Sequence, residues 1–322
     1  MTLRISAPAR LHLGLIDLRG DLGRRFGSLG VALAAPRLVL TARAAPHLRV
    51  QGADAVARRV EAVARTFLDR YAPAGLGARL EVEATIPAHV GLGSGTQITL
   101  ATGTVLARLC ALTIPTATLA VTLDRGRRSG IGMAAFERGG FAVDGGRRTA
   151  GAGSAEAVPP LIAWHPVPPA WRFVVAIPPE EHGLSGGVEE SAFRALPQPD
   201  EAVVGRICHL LVMQVLPALV EGEIGPCGAG LTEIQALVGD CFAPVQGGRY
   251  ATPRRAALVE ALLAAGAAGA GQSSWGPAVF GLTPSQESAD ALCHRLGGLA
   301  AGQDVQLFTA AADNTGAALE VI

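Results

Sequence analysis

Polar and apolar residues alternate through Thr2 to Leu18, which predicts a strand or strand pair with an edge or bulge at Pro8. Gly20 to Gly30, punctuated by glycine and carrying Arg24 and Arg25, reads as a loop, and strands follow at Arg37 to Arg43 and His47 to Gln51. The period then becomes helical: Val56, Val60, Val63 and Phe67 share one face of a helix that Asp54 caps and that runs to Tyr71. A strand at Arg79 to Thr85 leads through a glycine-rich loop into an apolar helical run, Ile98 to Leu112. A short helix at Thr116 to Leu123 and a strand at Gly139 to Asp144, turning at Gly145-Gly146, complete the first half.

Ala150 to Pro169 mixes Gly, Ser and Pro as a linker does. Beyond it the pattern predicts a strand at Trp171 to Ile177 and helices at Asp200 to Glu221, Leu231 to Phe242 and Pro253 to Ala265. A glycine loop (Gly266 to Gly276), a strand (Ala278 to Thr283), a helix from Pro284 and a strand at Asp304 to Ala311 close the chain. Helices and strands mix in both halves, so the expected class is α+β, with domains at 1–168 and 169–322 meeting at a cleft.

The 322 residues carry no net charge, which removes a general electrostatic case for nucleic acid. The apolar windows Leu210 to Val220 and Ala256 to Ala268 are too short or too rich in Ala and Gly to span a bilayer, and the N-terminal strand has no signal-peptide core. The expectation is a cytoplasmic protein without a membrane or nucleic-acid partner. All 27 basic residues are arginine, so Schiff-base chemistry and a Walker-type phosphate lysine are excluded, and any fixed cation must be Arg, protonated His or a metal. The five cysteines are scattered, which argues against zinc and disulfide frameworks.

Four stretches carry candidate chemistry. In Pro87-Ala-His-Val-Gly-Leu-Gly-Ser-Gly-Thr-Gln97, Gly91, Gly93 and Gly95 let the backbone turn sharply ahead of a helix. Ser94, Thr96 and the first free amides face a point that the helix dipole makes favourable for a phosphate or pyrophosphate; a turn that only caps the helix would share the pattern. The second stretch, Gly269 to Gly281, has more glycines than a connector needs, paired hydroxyls at Ser273 and Ser274, and Trp275 as a platform for a planar ring or as interdomain packing. In the third, Arg125 to Gly140, Arg and Ser amid glycines, Arg128 and Ser129 among them, suit phosphate or carboxylate oxygens; a solvated arginine turn would equally explain Arg125 and Arg127. The fourth places Arg10, His12 and Asp17 on an otherwise apolar strand.

Taken in order, these stretches resemble the GHMP small-molecule kinase superfamily over nearly the whole chain. Pro8-Ala-Arg-Leu-His12 matches its N-terminal motif, Pro87 to Thr96 its phosphate loop and Gly269 to Leu282 its C-terminal glycine loop. The resemblance implies that superfamily's two-domain fold with the ligand cleft between domains. Three departures argue against kinase activity: Gly95 replaces the second serine of the phosphate loop, no carboxylate stands near Met133, and there is no lysine. The wording at 15–18, 91–97, 128–141 and 269–277 is instead similar to a non-kinase branch, the β-ribofuranosylaminobenzene 5′-phosphate synthases.

That narrower resemblance implies a decarboxylating phosphoribosyltransferase that joins phosphoribosyl pyrophosphate to 4-aminobenzoate, releasing carbon dioxide and pyrophosphate on the way to tetrahydromethanopterin. The loop Gly91, Gly93, Ser94, Gly95, Thr96 and Gln97 is then expected to hold the pyrophosphate with a Mg ion. Asp17, Ser94 and Arg24 are the catalytic candidates, and Asp17 and then Glu137 the metal ligands. Arg10, Arg24 and Arg128 compete for the ribose 5′-phosphate; Arg24, Arg128, Ser273 and Ser274 are candidates for the benzoate carboxylate, with Trp275 near the ring and His12 and Ser129 also binding substrate. Relatives of this type imply a homodimer. The alternatives are an ATP-dependent GHMP small-molecule kinase and a non-catalytic nucleotide-binding relative.

Overall fold

The structure, a computed structural model, describes residues 1–73, 75–126, 128–149, 158–179, 186–300 and 304–322. The first half is built on a long hairpin of β1 (Thr2–Asp17) and β2 (Arg24–Ala45), paired antiparallel from Leu3↔Ala42 to Asp17↔Phe26. Leu3, Ile5, Ala7, Ala9, Leu11 and Leu13 fall on one buried face of β1, because side chains alternate along a strand. Arg10 and His12 fall on the other. The register shifts at Pro8/Ala9, where the sequence predicts a bulge, and again between His12 and Gly14.

Around this hairpin the chain adds β3 (Arg49–Gln51), α1 (Asp54–Tyr71), β4 (Gly77–Ala84), α2 (Ser94–Leu109), α3 (Thr116–Thr122), α4 (Ile131–Arg138), β5 (Phe141–Asp144), β6 (Arg147–Arg148) and β7 (Leu161–His165). Asp54 is the first residue of α1 rather than its cap; Ala53 holds that place without a side-chain bond. The strand β7 lies inside the expected linker, where it pairs with β5; residues 150–157 of that stretch lie outside the described residues. Arg24 to Gly30 belongs to β2, not to a loop, because this end of the strand pairs with β1, β5 and β6.

The second half contributes β8 (Arg172–Ile177), α5 (Gly186–Ala195), α6 (Glu201–Leu210), a π turn (Leu211–Val215), α7 (Leu216–Glu221), α8 (Ile224–Gln246), α9 (Pro253–Ala264), β9 (Gly269–Gln272), β10 (Val279–Thr283), α10 (Gln286–Ala300) and β11 (Gln306–Ala311). Its sheet has the order β11-β8-β10-β9. The strand β9 replaces part of the expected glycine loop. Its glycines serve close approach: a Cβ at Gly269 would strike the Gly228 backbone, and one at Gly271 would stand 2.6 Å from Gln235 Cδ.

The run Glu201–Glu221 is longer than the apolar window visible in the sequence and has a mean hydropathy of 1.9, enough by length and composition alone to cross a membrane. It packs on β1 and α8, with Val212, Met213 and Val220 exposed. The last strand, β12 (Ala318–Val321), returns to the first sheet and pairs with β1, Leu3 opposite Val321. Arg37 is ion-paired with Asp313, and Gly140 N–H donates to the Asp313 carbonyl at 2.5 Å. The chain end after β11 therefore packs with the N-terminal domain, and one cut at 168 does not separate the two sheets.

Candidate active site

The expected loop begins at the N-terminus of α2. Gly93 is the N-cap at φ 79°, Gly91 has φ 89°, and both lie in the left-handed region that glycine enters without strain. Gly95 has ordinary helical placement, and its missing side chain has another use, taken up below. The Gly91 carbonyl accepts from Arg10 Nη1 at 2.6 Å and from Ser273 Oγ at 2.7 Å. Ser273 Oγ in turn accepts from the His12 amide at 3.0 Å, and the Ser274 amide donates to the His12 carbonyl at 3.3 Å. One fully buried hydroxyl thus links β1, the α2 loop and the β9–β10 loop. Ser273 is a tether with both roles of its hydroxyl used, and it does not line the cavity in front of it.

That cavity encloses about 620 Å³ between the two halves. Arg10, His12, Thr96, Arg128, Ser129, Ser274 and Trp275 line it, so seven of the residues singled out in the sequence come together. Among the described residues seven arginines line it, Arg10, Arg25, Arg125, Arg128, Arg147, Arg194 and Arg249, with Asp124 as the one carboxylate beside them; Arg249 is ion-paired with Asp240 at 2.8 Å. A site with this imbalance is built for several anionic groups at once.

The opposite wall is aromatic. Trp275 meets Phe193 edge-on (5.4 Å between centroids, 87°) and lies tilted on Phe242 at 4.5 Å, while Phe26 meets Phe193 at 5.6 Å. Arg128 stands 4.9 Å over the Phe193 ring. Trp275 therefore packs in the interdomain cluster and also lines the cavity. Its Nε1–H is buried with no acceptor among the described residues. A buried donor left unsatisfied costs about 1–3 kcal/mol, which a ligand acceptor would recover. Phe26, Asp124 and Ser274 line the cavity with φ of 76°, 59° and 55°, strained values for residues with a side chain.

His12 is neutral here. Burial, and then the Arg10 charge, push its pKa down to about 3. It contributes an uncharged imidazole, and the fixed cations of the cavity are guanidinium groups. Behind Ser129, the buried Asp144 accepts from Ser28, from the Gly130 amide at 2.8 Å and from the Gly146 amide at 2.9 Å. Burial pushes the Asp144 carboxyl up, and these bonds oppose the shift.

Several expected residues lie elsewhere. Asp17 Oδ1 accepts from the Arg19 and Gly20 amides at 2.7 and 3.0 Å, closing its own turn away from the cavity. Glu137 is exposed on α4 and does not reach the cavity. Arg24 donates to the Gly145 and Gly146 carbonyls at 2.6 and 2.7 Å, a structural role. Its neighbour Arg25 takes the cavity position, since a shift of one residue changes the face of a strand. Gln97 Nε2 donates to the Gly132 carbonyl at 2.9 Å and ties α2 to α4. Ser94 is buried at the first turn of α2, and its hydroxyl has no hydrogen bond among the described residues. No group of three or more His, Cys, Asp or Glu residues with metal-ligand geometry occurs among the described residues.

Comparison with known proteins matches this architecture. The family described as GHMP kinases N terminal domain matches residues 58–140, and GHMP kinases C terminal matches residues 215–299. The β-ribofuranosylphenol 5′-phosphate synthase of Methanothermobacter thermautotrophicus is 35% identical over 300 residues, covering 87% of this chain and 88% of its own. That of Archaeoglobus fulgidus is 39% identical over 243 residues, 73% of this chain and 76% of its own. The chain belongs to the β-ribofuranosylphenol 5′-phosphate synthase family. Its fold is that of the GHMP kinases. The mevalonate kinase of Methanococcus jannaschii superposes with a TM-score of 0.66 at 15% identity, over 97% of this chain and 98% of its own. That of L. major, solved with R-mevalonate, gives 0.67 at 13% identity, over 96% of each chain. The name of these relatives carries a phenol where that of the resembled branch carries an aminobenzene.

Proposed function

We propose that the protein is a phosphoribosyltransferase that joins phosphoribosyl pyrophosphate to the carboxylate-bearing ring carbon of a para-substituted benzoate, with loss of carbon dioxide, in methanopterin biosynthesis. The acceptor is 4-aminobenzoate, or the 4-hydroxy analogue that would give the phenol of the relatives' name. The observation that carries this reading is the cavity itself, an arginine-rich lining beside an aromatic wall. The donor brings a 5′-phosphate and a pyrophosphate, and the acceptor brings a carboxylate on a planar ring.

In the reaction the ribose C1–oxygen bond breaks and its electron pair leaves with pyrophosphate. The ring carbon supplies the pair for the new C1–carbon bond, helped by its para amine or hydroxyl. The ring–carboxylate bond then breaks, carbon dioxide departs, and its electron pair restores aromaticity. No side chain need deprotonate the acceptor. Preorganised donors at the departing pyrophosphate stabilise the charge that develops there, each worth roughly 3 kcal/mol of barrier. We assign that role to Arg10, Thr96 and Arg125, which line the cavity, with Ser94 in the first turn of α2 beside them in sequence.

Arg25 and Arg147 sit directly opposite one another on β2 and β6, both over the Phe26 ring at 5.3 and 5.6 Å. Like charges paired across strands repel, so this pair is assigned to the second anion, the 5′-phosphate. Arg128 beside Phe193, with Ser274 and Trp275, is assigned to the benzoate. A tight clamp on that carboxylate would stabilise the ground state and oppose its departure.

Mg typically binds through one or two carboxylates plus substrate phosphates. Among the described residues Asp124 is the carboxylate lining the cavity and would hold a Mg ion carried by the donor; Asp17 and Glu137 do not line it. The ion would add charge neutralisation at the pyrophosphate. A homodimer belongs to the same reading. The test is to supply the donor, each acceptor and Mg, and to follow pyrophosphate: its release with either benzoate supports the reading. ATP turnover with a small alcohol, and no such release, would favour a kinase.

A further inference from the structure

Gly95 has no backbone need to be glycine, and what occupies the place of its side chain is a guanidinium from another helix. Arg59, on α1, puts Nη2 2.5 Å, Cζ 3.0 Å and Nη1 3.4 Å from the position of a Gly95 Cβ. The same arrangement recurs two residues earlier, where a Cβ at Gly93 would stand 2.9 Å from Arg10 Cγ and 3.2 Å from Arg10 Nε. Two arginines thus replace side chains in the first turn of α2, on either side of Ser94 in sequence.

Arg59 makes no ion pair or hydrogen bond among the described residues. The charge that acts on it is Arg125, of the same sign, whose Nε donates to Thr99 Oγ1 at 3.3 Å while Thr99 donates to the Gly95 carbonyl at 3.0 Å. Burial and this neighbour push the Arg59 pKa down. Two cations held together at the positive end of a helix are unfavourable unless an anion lies between them. Ser94, more than nine-tenths buried and with its hydroxyl unbonded among the described residues, is the hydrogen-bond donor that such an anion would take up.

We infer that Arg59, admitted by the absence of a side chain at Gly95, completes a pyrophosphate subsite with Ser94, Arg10 and Arg125. The inference rests on the phosphoribosyl-transfer reading and deepens it. Arg59 is not itself on the cavity lining; in this assignment it meets a pyrophosphate seated on the first turn of α2, and its effect grows as negative charge moves onto the departing oxygen. A guanidinium suits this role because its planar fork meets two phosphate oxygens at once.

The test is calorimetric titration of inorganic pyrophosphate and, separately, ribose 5-phosphate into the full chain and into Arg59→Met, Arg59→Lys and Gly95→Ser, with thermal melts to establish folding. The expected result is that the parent binds both ligands. Arg59→Met and Gly95→Ser, which displaces the guanidinium, each weaken pyrophosphate tenfold or more and leave ribose 5-phosphate within twofold; Arg59→Lys falls between. A parent that binds both ligands and an Arg59→Met variant with undiminished pyrophosphate affinity would overturn the assignment and leave the transferase reading standing. Equal weakening of both ligands would also overturn it. A parent that binds neither would remove the reading on which it rests.

Discussion

Gly91 and Gly276 meet backbone to backbone: a Cβ on Gly276 would collide with the Gly91 amide, and one on Gly91 would stand 2.5 Å from the Ser273 carbonyl oxygen. The two glycine-rich stretches, nearly two hundred residues apart, are therefore halves of one structure. Gly276→Ala should lose activity and stability together, since neither backbone can yield without moving the other loop. Gly205→Ala, a helical position with open space around it, should be neutral or stabilising by about 0.5–1 kcal/mol. Chemical denaturation of the pair of variants checks this, and an unaffected Gly276→Ala would refute the contact.

The Ser273 tether makes a separate prediction. Ser273→Ala leaves a buried amide and weakens the hold on the Gly91 carbonyl, at a cost of about 1–3 kcal/mol. Because Ser273 stands behind the cavity, Ser273→Thr or Cys variants that keep the fold should retain turnover better than cavity variants such as Thr96→Ala. Urea melts and steady-state rates compared across the set would decide it.

Arg24 and Arg25 are neighbours in sequence with opposite tasks. Arg25→Gln should raise the donor KM by tenfold or more, with a smaller fall in melting temperature than Arg24→Gln because Arg25 holds one backbone carbonyl, that of Leu18 at 2.9 Å, where Arg24 holds two. Arg24→Gln, which frees the Gly145 and Gly146 carbonyls, should lower the melting temperature and change KM less. The reverse pattern would mean that the strand faces are wrongly assigned.

His12 sets a pH dependence. Its folded pKa is about 3 against an ordinary value of 6.5, so between these values the unfolded chain binds the extra proton. The contribution to stability is fully present above pH 6.5 and is lost as pH falls, by up to about 1.4 kcal/mol per unit. His12→Gln should flatten the fall in unfolding free energy between pH 6.5 and 4. An acid limb of unchanged slope in that variant would contradict a buried neutral imidazole.

The sequence made the glycine loops legible because glycine density and hydroxyls at a helix start have local physical causes. It also set Arg10 and His12 two apart on one strand, and both line the cavity. It could not choose Arg25 over Arg24, because that choice depends on the register of β2 against β6. Arg147, Phe193 and Arg249 reach the cavity through tertiary packing alone. Gln235, Val238, Gly239, Phe242 and Gln246 did leave a signal: they fall at helical spacing on one face of α8, and that face is mixed in polarity where a core face would be apolar. Asp17 and Glu137 look like metal ligands by residue type, but one closes its own turn and the other faces solvent.

The most direct test of the central claim uses benzoate labelled at its carboxyl carbon. With phosphoribosyl pyrophosphate, Mg and 4-amino- or 4-hydroxybenzoate, labelled carbon dioxide and pyrophosphate should appear in equal amounts, and both should fall together in Arg125→Met. Pyrophosphate released without carbon dioxide, or neither product from either acceptor alongside turnover of ATP, would contradict the account.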